Sequence, residues 1–347
     1  MSDAVRTMFL AQAEGCAGLG SPLTARVLRL LAAAMQPGTA VEDRVLGWQG
    51  NLSRHGDAMG LRLAGGLHAL VLMGADAELA VFYREPEAVT DADATRLLRR
   101  CLRDHPDVLN HWLDSAPQTN EVRRSAALIA AGHWLTARLG LPIVLSELGS
   151  SAGLNLLWDH YALDLGAGYG PTGAPVVLRP DWQGSLPPVA APKVIARAGV
   201  DLQPLHPVQD RLRALSYIWA DQADRLARTA AALGLAANAL PPIAQGDAID
   251  WLQGRLAQSH PGALHLVYHT IAWQYFPPDA QARGLALFDQ AGVRASAGTP
   301  LAHLSMEADA VPDGAALVLW LWTGGDVQRF DLARVDFHGR WLRWTAA

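Results

Sequence analysis

The hydrophobic pattern of this chain changes period near residue 141, and that change constrains the fold more than any other feature. Before it, apolar residues recur at helical spacing, from Leu23 to Met35, from Leu61 to Met73, and from Ala92 to Leu102 behind the start signal of Asp91. Gln36-Pro37-Gly38 and Arg84-Glu85-Pro86 punctuate these runs, and Val122 to Leu139 predicts a last long helix ended by Gly140 and Pro142. After Leu141 short apolar runs alternate with helical patterns: Ile143 to Leu145, Val194 to Val200, Leu264 to Tyr268, Leu301 to Ser305 and Ala315 to Trp322. Strands alternating with helices predict a mostly parallel sheet with helices on both faces. The closing stretch, Phe330 to Trp344, alternates around His338-Gly339 and predicts an antiparallel C-terminal hairpin. The expected fold class is therefore α/β. Residues 1–138 would form an all-helical N-terminal domain and residues 139–347 the sheet domain. A Gly/Pro-rich insertion at about 160–192 would hold a small hairpin at Val176-Val177-Leu178.

Composition narrows the function classes. Half of the 347 residues are hydrophobic and 18% are charged, enough to bury a large core. The formal net charge is −5, whereas nucleic-acid-binding domains are usually basic. The 12 tryptophans are scattered from Trp48 to Trp344 and form no stacking platform for bases. Cys16 and Cys101 have neither metal-ligand nor disulfide-framework spacing, so no metal is expected. No basic-then-apolar leader is visible at the start, and no apolar run reaches the roughly 18 residues of a membrane span. The expectation is a cytoplasmic protein with a small-molecule substrate and neither nucleic-acid nor membrane partners. Oligomeric state is left open.

Chemistry concentrates in Glu147-Leu148-Gly149-Ser150-Ser151-Ala152-Gly153-Leu154-Asn155, which follows the first apolar run and leads into the helical pattern Leu154 to Trp158. The segment has two readings. As G-x-S-x-G it is a nucleophile elbow on Ser151, similar to the hormone-sensitive-lipase-like esterases, with His338 and Asp309 or Asp313 as partners. Helical sequence upstream, the lack of a His-Gly-Gly segment, and a carboxylate at Glu147 with no task in a hydrolase weigh against it. As E-x-G-x-x-x-G it is a cofactor loop. It then resembles the sheet fold of S-adenosylmethionine-dependent methyltransferases, in which an acidic residue ends the first strand and small residues follow at alternate positions.

That resemblance implies a Rossmann-like, seven-stranded, methyltransferase-type domain and S-adenosylmethionine as cofactor. It assigns cofactor contacts to Glu147, Gly149, Ser150, Ser151, Gly153 and Asn155, with a helix N-terminus at Ala152 to Leu154 facing the cofactor's carboxylate. Asp201, at the end of Val194 to Leu202, falls where an acidic residue bridges the ribose hydroxyls. Asp247 and Ala248 of Gly246-Asp247-Ala248 fall at the adenine position. His269, ending His265 to Thr270, and Tyr275 are the candidate bases, with Trp273 lining the acceptor pocket. The polar stretch Gln118-Thr119-Asn120-Glu121, with Arg124, would lean over the cofactor, and the helical domain would shape the acceptor pocket.

A closer resemblance covers most of the chain. Gln118 to Glu121, Glu147 to Leu156, Gly199-Val200-Asp201-Leu202-Gln203-Pro204, Gly246-Asp247-Ala248 and His338-Gly339-Arg340-Trp341-Leu342 together resemble an uncharacterised bacterial family grouped with Rossmann-like methyltransferase folds. Local chemistry also supplies blander accounts: Glu147 paired with an arginine, Asp201 opening a turn, Asp247 or Thr119 capping a helix, His269 satisfied at a strand end. A fold member that binds a different ligand, or catalyses nothing, is the remaining alternative.

Overall fold

The computed structural model describes residues 3–53, 56–118, 120–166 and 168–346. In chain order the helices α1 (Asp3–Gly18), α2 (Pro22–Ala34), α3 (Ala40–Leu46), α4 (Met59–Leu72), α5 (Ala77–Arg84), α6 (Asp91–Asp104), α7 (Pro106–Leu113) and α8 (Ser125–Leu139) precede the first strand. Strands β1 (Ile143–Leu148), β2 (Ala162–Asp164), β3 (Gly168–Tyr169), β4 (Val177–Leu178), β5 (Asp181–Gln183) and β6 (Val194–Asp201) follow. The remainder runs α9 (Arg211–Ser216), α10 (Ala223–Ala239), β7 (Ile243–Gln245), α11 (Ala248–Leu256), β8 (Leu264–Thr270), α12 (Pro278–Gly292), β9 (Leu301–Ala308), β10 (Ala315–Trp322), β11 (Gln328–Val335) and β12 (Trp341–Trp344).

These elements form two compact units, Met1–Thr119 with Gln209–Ala230, and Asn120–Val208 with Ala231–Ala347. The expected domain boundary lies at 138/139, whereas the contact boundary lies at 119/120, so α8 belongs to the unit that holds the sheet. The first unit is helical around Phe9, Leu28, Leu31, Leu63, Leu67 and Phe82. Its helices start where local chemistry dictates: the Thr90 side chain accepts from Asp93 N at the start of α6. At α2, Pro22 occupies the first turn and the cap comes from far along the chain. Asp221 accepts from Leu23 N (2.9 Å) and from Ser21 Oγ (2.6 Å). Trp112 Nε1 donates to Ser216 Oγ (2.8 Å), and a Cβ at Gly65 would stand 2.6 Å from the Tyr217 ring. These ties explain why Gln209–Ala230 belongs to this unit.

The second unit holds a sheet in the order β5-β12-β11-β10-β9-β8-β1-β6-β7. β7, β6, β1, β8 and β9 are parallel, and β10, β11 and β12 continue as an antiparallel meander. Among the described residues the sheet has nine strands in place of the expected seven, because the closing stretch supplies a hairpin and the insertion adds β5 alongside β12. β1 and β8 are buried along their whole length, which is why they read as continuous apolar runs. Leu148, Val200, Val267 and Leu301 face α11 and α12 in one core. On the other face Tyr268 OH donates to Asn155 O (3.0 Å), and Trp134 of α8 packs edge-on against Phe330.

Three local expectations are corrected. Val122–Arg124 is a 3-10 turn before α8, not its first α-turn. Val177–Leu178 pairs parallel with β2, not as an antiparallel hairpin, because the chain passes through the turns at Gly170 and Gly173 to reach the other edge of β2. The segment after the glycine turn is a six-residue 3-10 helix, Asn155–His160, with Leu157 outside helical geometry. The kink at Leu157 leaves only short runs of aligned peptides, so little positive charge builds up at its N-terminal end.

Candidate functional site

From β1 the chain moves to β6 and β7 on one side, then returns to β8 on the other. That reversal makes the carboxyl ends of β1 and β8 the switch point, where open α/β sheets leave a crevice for ligands. Glu147 is paired in register with Gly199 of β6 and Tyr268 of β8. The turn that follows is tied to the end of β6. Gly149 N and Ser150 N both donate to Val200 O (2.9 and 3.0 Å), and Ser150 Oγ donates to the same carbonyl (3.1 Å). Ser151 N donates to Asp201 Oδ2 (2.8 Å), while Asp201 Oδ1 accepts from Gln203 N (2.9 Å).

Gly149, Ser151 and Gly153 all adopt positive φ, at 73°, 49° and 68°. Glycine does so at little cost, whereas a serine carries steric strain. The glycines also admit neighbouring protein: a Cβ at Gly149 would lie 2.7 Å from Ala272, and one at Gly153 2.8 Å from Ile243. Gly199 leaves room for Ser150, whose Oγ would stand 2.3 Å from an added Cβ. The alternate small residues thus serve strand-end packing. Ala152 N, expected at a helix N-terminus facing a ligand, donates instead to Asn120 Oδ1 (3.2 Å).

Glu147 is the electrostatic anomaly. It is 2% exposed, and its Oε2 has no hydrogen-bond partner among the described residues. Burial pushes its carboxyl well above the usual range; Asp201 adds to this and Arg124 opposes it. Arg124 is itself buried and is held by carbonyls, donating from Nη1 to Thr270 O (3.0 Å) and from Nε to Phe337 O (2.9 Å). Asn120 Nδ2 is a buried donor without a partner among the described residues. The other polar residues of this segment are engaged within the protein. Asn155 Oδ1 accepts from Ser125 Oγ (2.6 Å), and Glu121 Oε1 accepts from Arg123 N (3.1 Å). Gln118 belongs to the first unit, and Thr119 lies outside the described residues.

Asp247 caps α11, its Oδ1 accepting from Ile249 N and Asp250 N (both 2.9 Å), and Ala248 begins that helix. His269 is 1% exposed and lies on the α11–α12 face, opposite Glu147. Its Nδ1 donates to Glu307 Oε1 (2.7 Å), and its Nε2 meets His303 Nε2 (2.9 Å). Trp273 stacks on the His269 ring at 4.8 Å, whereas Tyr275 is 75% exposed. Glu307 and His303 were not singled out from the sequence. Their signal is the alternation His303-Ser305-Glu307 along β9, which acquires meaning only once His269 is paired with Ser305. Burial works to raise the Glu307 carboxyl, but hydrogen bonds from His269, Ala272 N and Trp273 N outweigh it and hold it below the usual range. Burial, with His269 beside it, keeps His303 well below its ordinary value. As for the partners of a nucleophilic Ser151, Asp309 is bound by Arg334 (2.7 Å) and Asp313 by Arg343 (3.2 Å). His338 Nδ1 lies 3.8 Å from Glu121 Oε2.

The family described as "Uncharacterized protein conserved in bacteria (DUF2332)" matches residues 6–344. The chain belongs to that family. The DUF2332 match spans both compact units, so the helical part belongs to the family's architecture as much as the sheet does. No curated protein and no solved structure matches the chain. Among the described residues no single helix is long and apolar enough to cross a membrane.

Proposed function

We propose that this chain is an S-adenosylmethionine-dependent methyltransferase acting on a small-molecule acceptor. The observation that carries the reading is Glu147, a buried carboxylate at the switch point with an oxygen that no donor among the described residues satisfies. An unpaired buried acceptor is costly, and a bound ligand with an ammonium or N–H donor removes that cost. Asn120 Nδ2, a buried donor without a partner among the described residues, complements it toward a carboxylate. A cofactor bearing an amino-acid group, a ribose and an adenine suits that donor set. Glu147 and Asn120 would hold the amino-acid end. Asp201, at the end of β6, would take the ribose with its remaining lone pairs, and Asp247 the base. Bound S-adenosylmethionine supplies an activated methyl group. The residues of this chain then act by positioning the acceptor and excluding water, which can account for most of the rate of such a transfer. His269 supports the turn after β8 in this reading, because both of its ring nitrogens are engaged within the protein.

A second reading, a ligand-binding member of the fold without transferase activity, is favoured by the packing of Gly149 against Ala272 and by the exposure of Tyr275. Calorimetry separates the possibilities. Saturable heat is expected with S-adenosylmethionine and its demethylated product, weakened about tenfold or more by Glu147→Ala and by Asp201→Ala. No heat at millimolar ligand sinks the cofactor assignment. Binding without methyl transfer to any acceptor in a metabolite screen leaves the second reading.

A further inference from the structure

At the amino ends of β8 and β9, the end of the strands remote from Glu147, a cavity of about 310 Å³ opens among Leu256, His260, His265, Arg294, Thr299 and Leu301. No aspartate or glutamate lines it. The helices α11 and α12 end here, and the partial negative charge of their last carbonyls is met by one arginine. Arg294 donates to Gln290 O (3.0 Å) and to Leu256 O (3.2 Å). Arg255 is left over. It is half-buried, lies over the Trp251 ring at 5.4 Å, and donates to Ser146 Oγ (3.1 Å) and Gln258 Oε1 (3.0 Å). Among the described residues no carboxylate pairs with it, and burial lowers its pKa from the ordinary arginine value.

The charge of Arg255 is relayed to the cavity wall. Ser146 is fully buried, and its hydroxyl touches only Arg255 and His265 Nε2 (2.9 Å) among the described residues. With Arg255 donating to its oxygen, His265 Nε2 is the acceptor within reach of its hydrogen among the described residues, and in that tautomer the ring carries its own proton on Nδ1. Burial, with His260 and Arg255 adding, pushes His265 down to about 3, so at neutral pH it is a neutral N–H donor. The His260 ring meets it edge to face at 4.8 Å, and His260 Nε2 is buried without a partner among the described residues. Thr299 adds a hydroxyl at the rim.

The geometry points to a second ligand site, one that takes a small oxyanion, the phosphate or carboxylate group of a metabolite, on Arg294, His260 and His265. An anion here supplies a counter-charge to Arg294, which pairs with no carboxylate among the described residues, and a partner for the orphaned imidazole nitrogen, while Arg255 adds positive charge behind the wall. The site is independent of the cofactor reading, because it lies at the opposite ends of the strands.

The test uses the full chain labelled with ¹⁵N-histidine, titrated with inorganic phosphate and, separately, with acetate at constant ionic strength. The ring signals of His260 and His265 are expected to move along a saturating curve with at least one anion, while those of His269 and His303 stay still. Whichever anion binds tighter identifies the ligand group. Arg294→Gln, a change at an exposed residue, should weaken binding about tenfold, and His260→Gln should also weaken it. Static His260 and His265 signals with both anions, or an unchanged titration in both variants, overturn the proposal.

Discussion

Two glutamates with little exposure stand near the carboxyl ends of β1 and β9, strands separated by β8, on opposite faces of one sheet, and they differ in how many donors the protein gives them. Glu307 of β9 collects three donors on one oxygen: the His269 ring and the backbone N–H groups of Ala272 and Trp273. Its carboxyl is held below the usual range despite burial. Glu147 of β1 has an oxygen with no partner among the described residues, and its carboxyl is pushed well above that range. The difference teaches how to separate structural from functional charge. Glu307 is part of the scaffold: its Oε2 is as unpartnered as that of Glu147, but its Oε1 takes three protein donors, whereas the Glu147 carboxylate takes none among the described residues. Glu147 is incomplete, and the missing partner is the best pointer to a ligand.

The largest expected effect lies at the glutamate that holds three donors. Glu307→Ala strands three donors and should cost about 3–5 kcal/mol in denaturant unfolding. A cost no greater than that of Glu147→Ala would break the distinction between the two sites. Next comes Glu147→Gln, which should reduce nucleoside binding about thirtyfold, roughly 2 kcal/mol, by calorimetry while leaving the free protein as stable or more so.

The pH dependences should then run in opposite directions. Glu147 has a raised folded pKa, so its contribution is fully present below the unfolded value of about 4.3 and is lost as pH rises through the folded one. Glu147→Gln should therefore gain stability relative to the parent as pH increases above that value. Glu307 has a depressed folded pKa, so its contribution is present above about 4.3 and is lost as pH falls through the folded value. The cost of Glu307→Gln should shrink in acid. Unfolding curves for the three proteins across that range would show whether both signs hold.

Asp201→Ala unties Ser151 N and Gln203 N and should destabilise by about 1–2 kcal/mol, a loss readable in the denaturant midpoint. The smallest effect concerns the turn itself. Ser151→Gly relieves positive-φ strain and should stabilise by no more than about 1 kcal/mol. Fluorophosphonate labelling that depends on Ser151 would overthrow the view that this residue shapes the turn and does not attack.

Much of the architecture was legible because it is written locally. The period change near residue 141 marks where strands begin, Gly140 and Pro142 stop α8, and the cap at Asp247 is the blander of its two readings beside the adenine contact. The acidic strand ends Glu147 and Asp201 stand out against apolar neighbours. The segment after Gly153 forms a 3-10 helix where the pattern predicts an α-helix, because the apolar spacing of Leu154 to Trp158 suits both.

What the chain alone determined, then, is the kind and order of its elements and where carboxylates meet strand ends, since periodicity and capping act over a few residues. Tertiary structure decided everything that depends on register between distant segments. It drew Asp221 to the start of α2 and paired His269 with Glu307. It set Ser146 between Arg255 and His265, and it left Glu147 Oε2 without a partner among the described residues. Whether a buried charge is satisfied is a property of its neighbours in space, and no local pattern encodes them.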